Sequence, residues 1–123
     1  MPLDPLATRF LAMMAAASSG DRSRPTPNER RQALTKLMQF AGNDVTAGTG
    51  LDGVLPGAAG DIPYRLYAPA NEAADNLPGF VFFHGGGMVA GSIDTHDRVC
   101  VALAQVTGCR LVSVGYRLAP EHK

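Results

Sequence analysis

Three consecutive glycines, Gly85, Gly86 and Gly87, stand directly behind a histidine, His84, and a run of strand-prone apolar residues, Phe80-Val81-Phe82-Phe83. A glycine inside a helix or strand costs backbone entropy and packs nothing, so a triplet of them cannot simply extend an element. It permits a main chain that passes very close to another group with its N–H donors turned outward. A loop of that kind behind a buried strand is suited to receive an oxygen that gains negative charge during acyl transfer. The rest of the chain reads as scaffolding for this loop.

Ahead of it, Leu3, Leu6, Phe10, Met13, Met14 and Ala17 recur at helical spacing, which predicts an amphipathic helix over residues 4–17 closed by Ser18-Ser19-Gly20. A second helix is predicted from Pro27 to about Phe40, with Thr26 as N-cap and Glu29 completing a capping box. Its expected core face is Ala33, Leu34, Leu37, Met38 and Phe40, with Gly42 past its end. Leu51 to Leu55 and Ile62 to Tyr67 read as strands of a hairpin turned at Ala58-Ala59-Gly60-Asp61, and residues 71–78 as a polar loop. Gly79 to Phe83 is a strand, apolar at every position from Phe80 on, as in parallel sheets covered on both faces. Behind the glycine loop, Ser92-Ile93-Asp94-Thr95 supplies N-cap chemistry for a helix from His96 to about Thr107. Val99, Cys100, Ala102, Leu103 and Val106 would form its apolar side and Gly108 its C-cap. Leu111 to Val114 is a further buried strand. Strand, loop, helix and strand in this order make a parallel crossover unit, so the fold class is α/β.

Composition excludes several other classes. Eleven basic and eleven acidic side chains cancel and are interspersed, so neither a nucleic-acid nor an anionic-membrane partner is expected. Cys100 and Cys109 are too few for a disulfide scaffold and read as small buried hydrophobes. The stretch from Phe10 to Ala17 is a poor leader peptide, because Asp4 offsets Arg9 and two prolines interrupt the basic region. No run is long enough to span a bilayer, and the expected location is cytoplasmic. His84, His96 and His122 lack metal-ligand spacing, so neither metal nor other cofactor is expected.

Three segments together resemble the hormone-sensitive-lipase-like family of bacterial esterases, within the α/β-hydrolase fold. They are Ile62-Pro63-Tyr64-Arg65-Leu66-Tyr67, the block from Phe82 to Asp97 around His84-Gly85-Gly86-Gly87, and Ser113-Val114-Gly115-Tyr116-Arg117-Leu118-Ala119-Pro120-Glu121-His122. The resemblance implies a partial α/β-hydrolase fold: cap helices over residues 1–45, then the first part of the catalytic domain over residues 46–123. It implies a carboxylesterase acting on short-chain esters through an acyl-serine intermediate. Gly86 and Gly87 would be the oxyanion donors, with Gly85 shaping the loop of the oxyanion hole and His84 supporting it. Met88 would line the substrate pocket, where the family usually has an aromatic residue.

The family's nucleophile lies in a GDSAGG segment after YRLAPE, with the acid and histidine later still. No member of the catalytic triad is therefore expected within this chain, which reads as the front part of a larger protein. Ser113 precedes Gly115 by two residues, but Leu111 stands where an elbow needs glycine, and the serine sits inside a strand rather than at a strand-to-helix turn. His96 and Asp97 are expected at the surface or in capping at a helix start, and His122 in a structural segment. Gly115 replaces the family's common Asp, leaving Arg117 to find another partner. The expected partners are a small-molecule ester and the remainder of the catalytic domain, with a homo-oligomer left open. The same fold also hosts receptor-like members that bind a ligand without catalysis, and amide or formamide hydrolases.

Overall fold

The structure, a computed structural model, describes residues 2–17, 24–40, 50–70 and 76–123. Expectations that fall on residues 18–23, 41–49 and 71–75 lie outside the described residues. Helix α1 (Pro5–Ala17) starts where the Asp4 carboxylate accepts from the Leu6 amide at 2.8 Å, an N-cap that the sequence reading did not single out. Helix α2 (Pro27–Phe40) carries the predicted capping box. Glu29 Oε2 accepts from the Thr26 amide at 2.7 Å, and Thr26 Oγ1 accepts from the Glu29 amide at 3.3 Å.

Strands β1 (Leu51–Leu55) and β2 (Ile62–Tyr67) form the expected antiparallel hairpin, with Gly53 opposite Tyr64. Strand β3 (Gly79–Phe83), helix α3 (Ile93–Thr107) and strand β4 (Arg110–Val114) form the crossover unit, and β3 and β4 are parallel. The sheet order is β1-β2-β4-β3, so β4 lies between two strands that precede it in the chain. Helix α3 begins three residues earlier than predicted. Ser92 is its N-cap, accepting from the Thr95 amide at 3.1 Å, while Thr95 Oγ1 accepts from the Ser92 amide at 2.8 Å. It ends at Gly108, whose φ of 65° lets its amide turn back to the Ala104 carbonyl.

The core lies between α3 and one face of the sheet. Tyr67, Cys100, Val101, Ala104 and Leu111 are buried there, with Phe80, Phe82 and Leu103 packed against them. Burying a side chain such as Leu111 contributes about 1.5–3 kcal/mol. The buried stripe of α3 is His96, Cys100 and Ala104 with Val101 beside it, so the predicted face is corrected: Val99 and Val106 are exposed. The run from Val99 to Ala104 is apolar around the entire helix, and periodicity alone does not fix which side faces inward. Cys109 is a free, half-buried thiol rather than a core residue.

Other apolar surfaces expected to be buried are open. On β3, Phe80 and Phe82 face α3, but Val81 and Phe83 on the other face are 57% and 64% exposed. The described side chains of the α1 stripe, Leu3, Leu6, Phe10, Met13 and Met14, are exposed, and so is Ala33 on α2. Among the described residues no helix is long and apolar enough to cross a membrane.

Candidate active site

Strand β3 delivers the chain to His84, which is 4% exposed, and the backbone then folds into a compact loop. The Gly86 carbonyl accepts from the amides of Val89 at 3.3 Å and Ala90 at 3.1 Å. Four residues of the loop have positive φ: Gly86 at 129°, Gly87 at 63°, Met88 at 59° and Gly91 at 94°. The glycines are needed for different reasons. A Cβ on Gly86 would overlap the Ala90 carbonyl, and one on Gly91 would overlap the Gly85 carbonyl and the His84 ring. A Cβ on Gly87 would meet nothing, so there only the backbone conformation matters. Among the described residues, the Gly86 and Gly87 amides donate to no group, although every neighbouring carbonyl from Gly85 to Val89 except that of Gly87 accepts a hydrogen bond.

His84 is held on both sides. Its Nδ1 lies 3.0 Å from the Gly85 carbonyl, which can only accept, so this nitrogen carries the proton. Tyr116 stacks on the ring at 4.2 Å and donates its hydroxyl to the His84 carbonyl at 2.6 Å. Burial holds the Tyr116 phenol above its ordinary pKa, so it remains a donor. Met88 is 72% exposed and its carbonyl accepts from the Ala119 amide at 2.8 Å.

His96 is corrected from a surface position to a buried one, 8% exposed. Its ring lies 5.6 Å from that of His84 and 6.1 Å from Phe82, with Nδ1 3.0 Å from Thr95 Oγ1. Burial, and then the neighbouring His84, lower its pKa. Asp97, whose side chain is 38% exposed, does more than complement the helix dipole. It accepts from the Tyr67 hydroxyl at 2.7 Å and from Arg65 at 2.8 Å, and Arg65 also pairs with Asp52 and Asp94. Burial and this carboxylate together push the Tyr67 phenol up.

Ser113 is fully buried in the middle of β4, opposite Phe82 on one side and Arg65 on the other. Its hydroxyl meets no partner in good hydrogen-bond geometry among the described residues, but it lies against the Cys100 thiol, whose pKa burial raises, an effect that the Ser113 hydroxyl partly offsets. His122 sits at the turn closed by its own amide on the Leu118 carbonyl. Arg117 donates to the Ala59 carbonyl at 2.8 Å. A Cβ on Gly115 would lie 2.9 Å from the Pro63 ring and 3.2 Å from Ile93, so a side chain there would require these neighbours to shift. Among the described residues, no group of three or more His, Cys, Asp or Glu side chains is placed to hold a metal.

Arg31 on α2 is the residue that the sequence reading missed. It donates to the Val89 carbonyl at 2.8 Å, to the Ala119 carbonyl at 3.1 Å, and to both oxygens of Glu121 at 3.0 Å and 2.7 Å. Nothing local marks it, because its partners lie 58 to 90 residues away. Tyr116 was within reach as the aromatic that opens the YRLAPEH segment.

A family profile for the alpha/beta hydrolase fold matches residues 80–123, which include the loop, α3 and β4. Among curated proteins, the chain is 33% identical over its full length to an arylesterase of Saccharolobus solfataricus, of which it covers 40%. It is 53% identical over 62 residues, half of this chain, to the carboxylesterase NlhH of Mycobacterium tuberculosis, of which the match covers 19%. Among solved structures, the hyperthermophilic esterase of Pyrobaculum calidifontis superposes with a TM-score of 0.87 at 37% identity, covering all of this chain and 39% of that one. The chain thus spans no more than 40% of the length of each of these relatives.

Proposed function

Because this chain belongs to the hormone-sensitive-lipase-like family of the α/β-hydrolase fold, we propose that it supplies the oxyanion-binding side of a carboxylic ester hydrolase. The observation that carries this reading is the pair of unengaged amides at Gly86 and Gly87, set at positive φ directly behind a buried, hydrogen-bonded His84. Attack by a serine on the ester carbonyl moves an electron pair onto the carbonyl oxygen. Two main-chain donors fixed before the reaction stabilise that charge without reorganising, and one such donor contributes about 2.7–4 kcal/mol to the transition state. His84 supports the loop and is not the base: its Nδ1 proton is engaged by Gly85 and its ring is sandwiched against Tyr116. Gly85 shapes the turn.

The acyl-serine nucleophile, its histidine and its acid are assigned to the family's GDSAGG segment and beyond, outside residues 1–123. In this reading residues 1–45 form cap helices and residues 46–123 open the catalytic domain. The substrate is a small ester with a short acyl chain, and Met88, projecting from a left-handed backbone, forms part of the pocket wall.

The test uses the full-length protein with p-nitrophenyl acetate. Gly87→Ala should fold, since a Cβ there meets nothing, yet it disfavours the left-handed conformation that aims the amide. A fall in kcat of about tenfold is expected, because a left-handed alanine costs roughly 1–2 kcal/mol and each 1.36 kcal/mol lost from the aligned state is tenfold in rate. Ser113→Ala is the control: removal of a buried hydroxyl whose only neighbour of hydrogen-bonding character among the described residues is the Cys100 thiol should leave kcat unchanged and alter stability by no more than about 1 kcal/mol. Retention of kcat within a few-fold in Gly87→Ala would overturn the oxyanion assignment, and loss of activity in Ser113→Ala would reopen that serine as a nucleophile.

A further inference from the structure

We propose that Arg31 is a positioning residue for the glycine loop: anchored on Glu121, its guanidinium fixes the direction in which the Gly87 amide points. The inference rests on the oxyanion reading above. It follows from the planarity of the peptide unit, which locks each carbonyl to the N–H of the next residue. Arg31 Nε grips the Val89 carbonyl at 2.8 Å, and the same peptide plane carries the Ala90 N–H. That N–H grips the Gly86 carbonyl at 3.1 Å, and the plane of the Gly86 carbonyl carries the Gly87 N–H. Two rigid planes and two hydrogen bonds therefore connect a helix α2 side chain to an amide that is free to bind an oxyanion.

A second, less rigid connection runs alongside the first, since the Ala119 carbonyl and the Ala119 amide belong to neighbouring peptide planes joined at the Ala119 Cα. Arg31 Nη2 holds the Ala119 carbonyl at 3.1 Å, and the Ala119 amide holds the Met88 carbonyl at 2.8 Å. The Met88 carbonyl shares its plane with the Val89 N–H, which also reaches the Gly86 carbonyl, at 3.3 Å. Both relays converge on one carbonyl, and both start from one guanidinium. The fork geometry of arginine suits this arrangement, because acceptors on two segments, the glycine loop and the stretch from Ala119 to Glu121, must be met from fixed directions. Glu121 keeps the fork in place. Its hydrogen bonds from Arg31 bring its carboxyl down to about 2, so it is ionised, and able to accept from both arms of the fork, at any working pH.

Arg31→Met, Arg31→Lys and Glu121→Gln in the full-length enzyme test this. The readouts are kcat and KM on p-nitrophenyl acetate, and inhibition by an aryl trifluoromethyl ketone, which forms a tetrahedral oxyanion in the same hole. Arg31→Met should lower kcat about tenfold or more with KM within about threefold, since a displacement near 1 Å can cost ~100-fold in rate. Ketone affinity should fall in proportion to kcat/KM. Arg31→Lys should not restore the rate, because one ammonium cannot span the Val89 carbonyl, the Ala119 carbonyl and Glu121. If Arg31→Met fails to fold, Glu121→Gln carries the test, with a smaller loss of about threefold on the same line of affinity against kcat/KM. Variants that lose only thermal stability, with kcat and ketone affinity of the folded protein intact, would overturn the proposal. A wild-type enzyme that neither turns over esters nor binds the ketone would instead overturn the ester-hydrolase reading on which it rests.

Discussion

His96 shows how a single side chain takes its properties from neighbours distant in sequence. At the first turn of a helix it would ordinarily titrate in water, yet it is enclosed by Phe82, by the His84 ring with Tyr116 stacked behind it, and by Thr95. Burial makes the cationic form costly, so the folded protein keeps it neutral to lower pH than the unfolded chain does. Between the lowered folded value and the unfolded value of about 6.5, the unfolded state therefore binds more protons. Stability should fall as pH drops through that window and level off below it. His96→Gln should flatten this dependence, which urea midpoints of the full-length protein between about pH 5 and 7.5 would show. An unchanged slope would mean that His96 accepts a proton without disturbing the contact with His84. Met88 is the complementary case: an L residue held in the left-handed region costs on the order of 1–3 kcal/mol, and such strain persists where the surroundings over-determine it. Here the Ala119 amide and the Arg31 fork do so.

The hairpin and helix α3 are joined by a polar network rather than by apolar contact alone. Arg65 on β2 reaches Asp52 on β1 and Asp94 and Asp97 on α3, and the Tyr67 hydroxyl shares Asp97. Asp97→Ala strands that largely buried hydroxyl, so a loss of about 1–3 kcal/mol in urea unfolding is expected. Coupling to Tyr67→Phe in a double-mutant cycle should be non-zero, and additive effects would show that the shared hydrogen bond contributes nothing. None of this was legible in the sequence, because Asp97 at a helix start has a sufficient local explanation in the dipole. Its real partners are 30 and 32 residues away. What was legible rests on short-range chemistry. The Thr26–Glu29 capping box, the Gly108 C-cap and the glycine loop each depend on residues within a few positions of one another, and the hairpin on pairs such as Leu51 and Leu66 that flank one turn. The helix α3 face was misread because an all-apolar segment carries no phase. The Arg31–Glu121 pair was invisible because only the folded sheet brings residues 31 and 121 together.

Strand β3 is an edge of the described sheet, and its sequence has no charge or proline to discourage pairing. With Val81 and Phe83 exposed on one face as well, a polypeptide of residues 1–123 expressed alone should self-associate and show no esterase turnover. Size exclusion with light scattering and a p-nitrophenyl acetate assay check this, and a stable monomer with serine-inhibitor-sensitive turnover would contradict it. The strand order has a further consequence in time. A ribosome releases β1, β2, β3 and β4 in that sequence, but the sheet cannot be laid down in that sequence, because β4 is the strand that both β2 and β3 pair with. A nascent chain that has emerged only to residue 109 has all the residues of β1, β2 and β3 but lacks the strand that joins β2 to β3. The five residues from Arg110 to Val114 then close both gaps at once. Until they emerge, the glycine loop has a strand in front of it but no sheet beneath it.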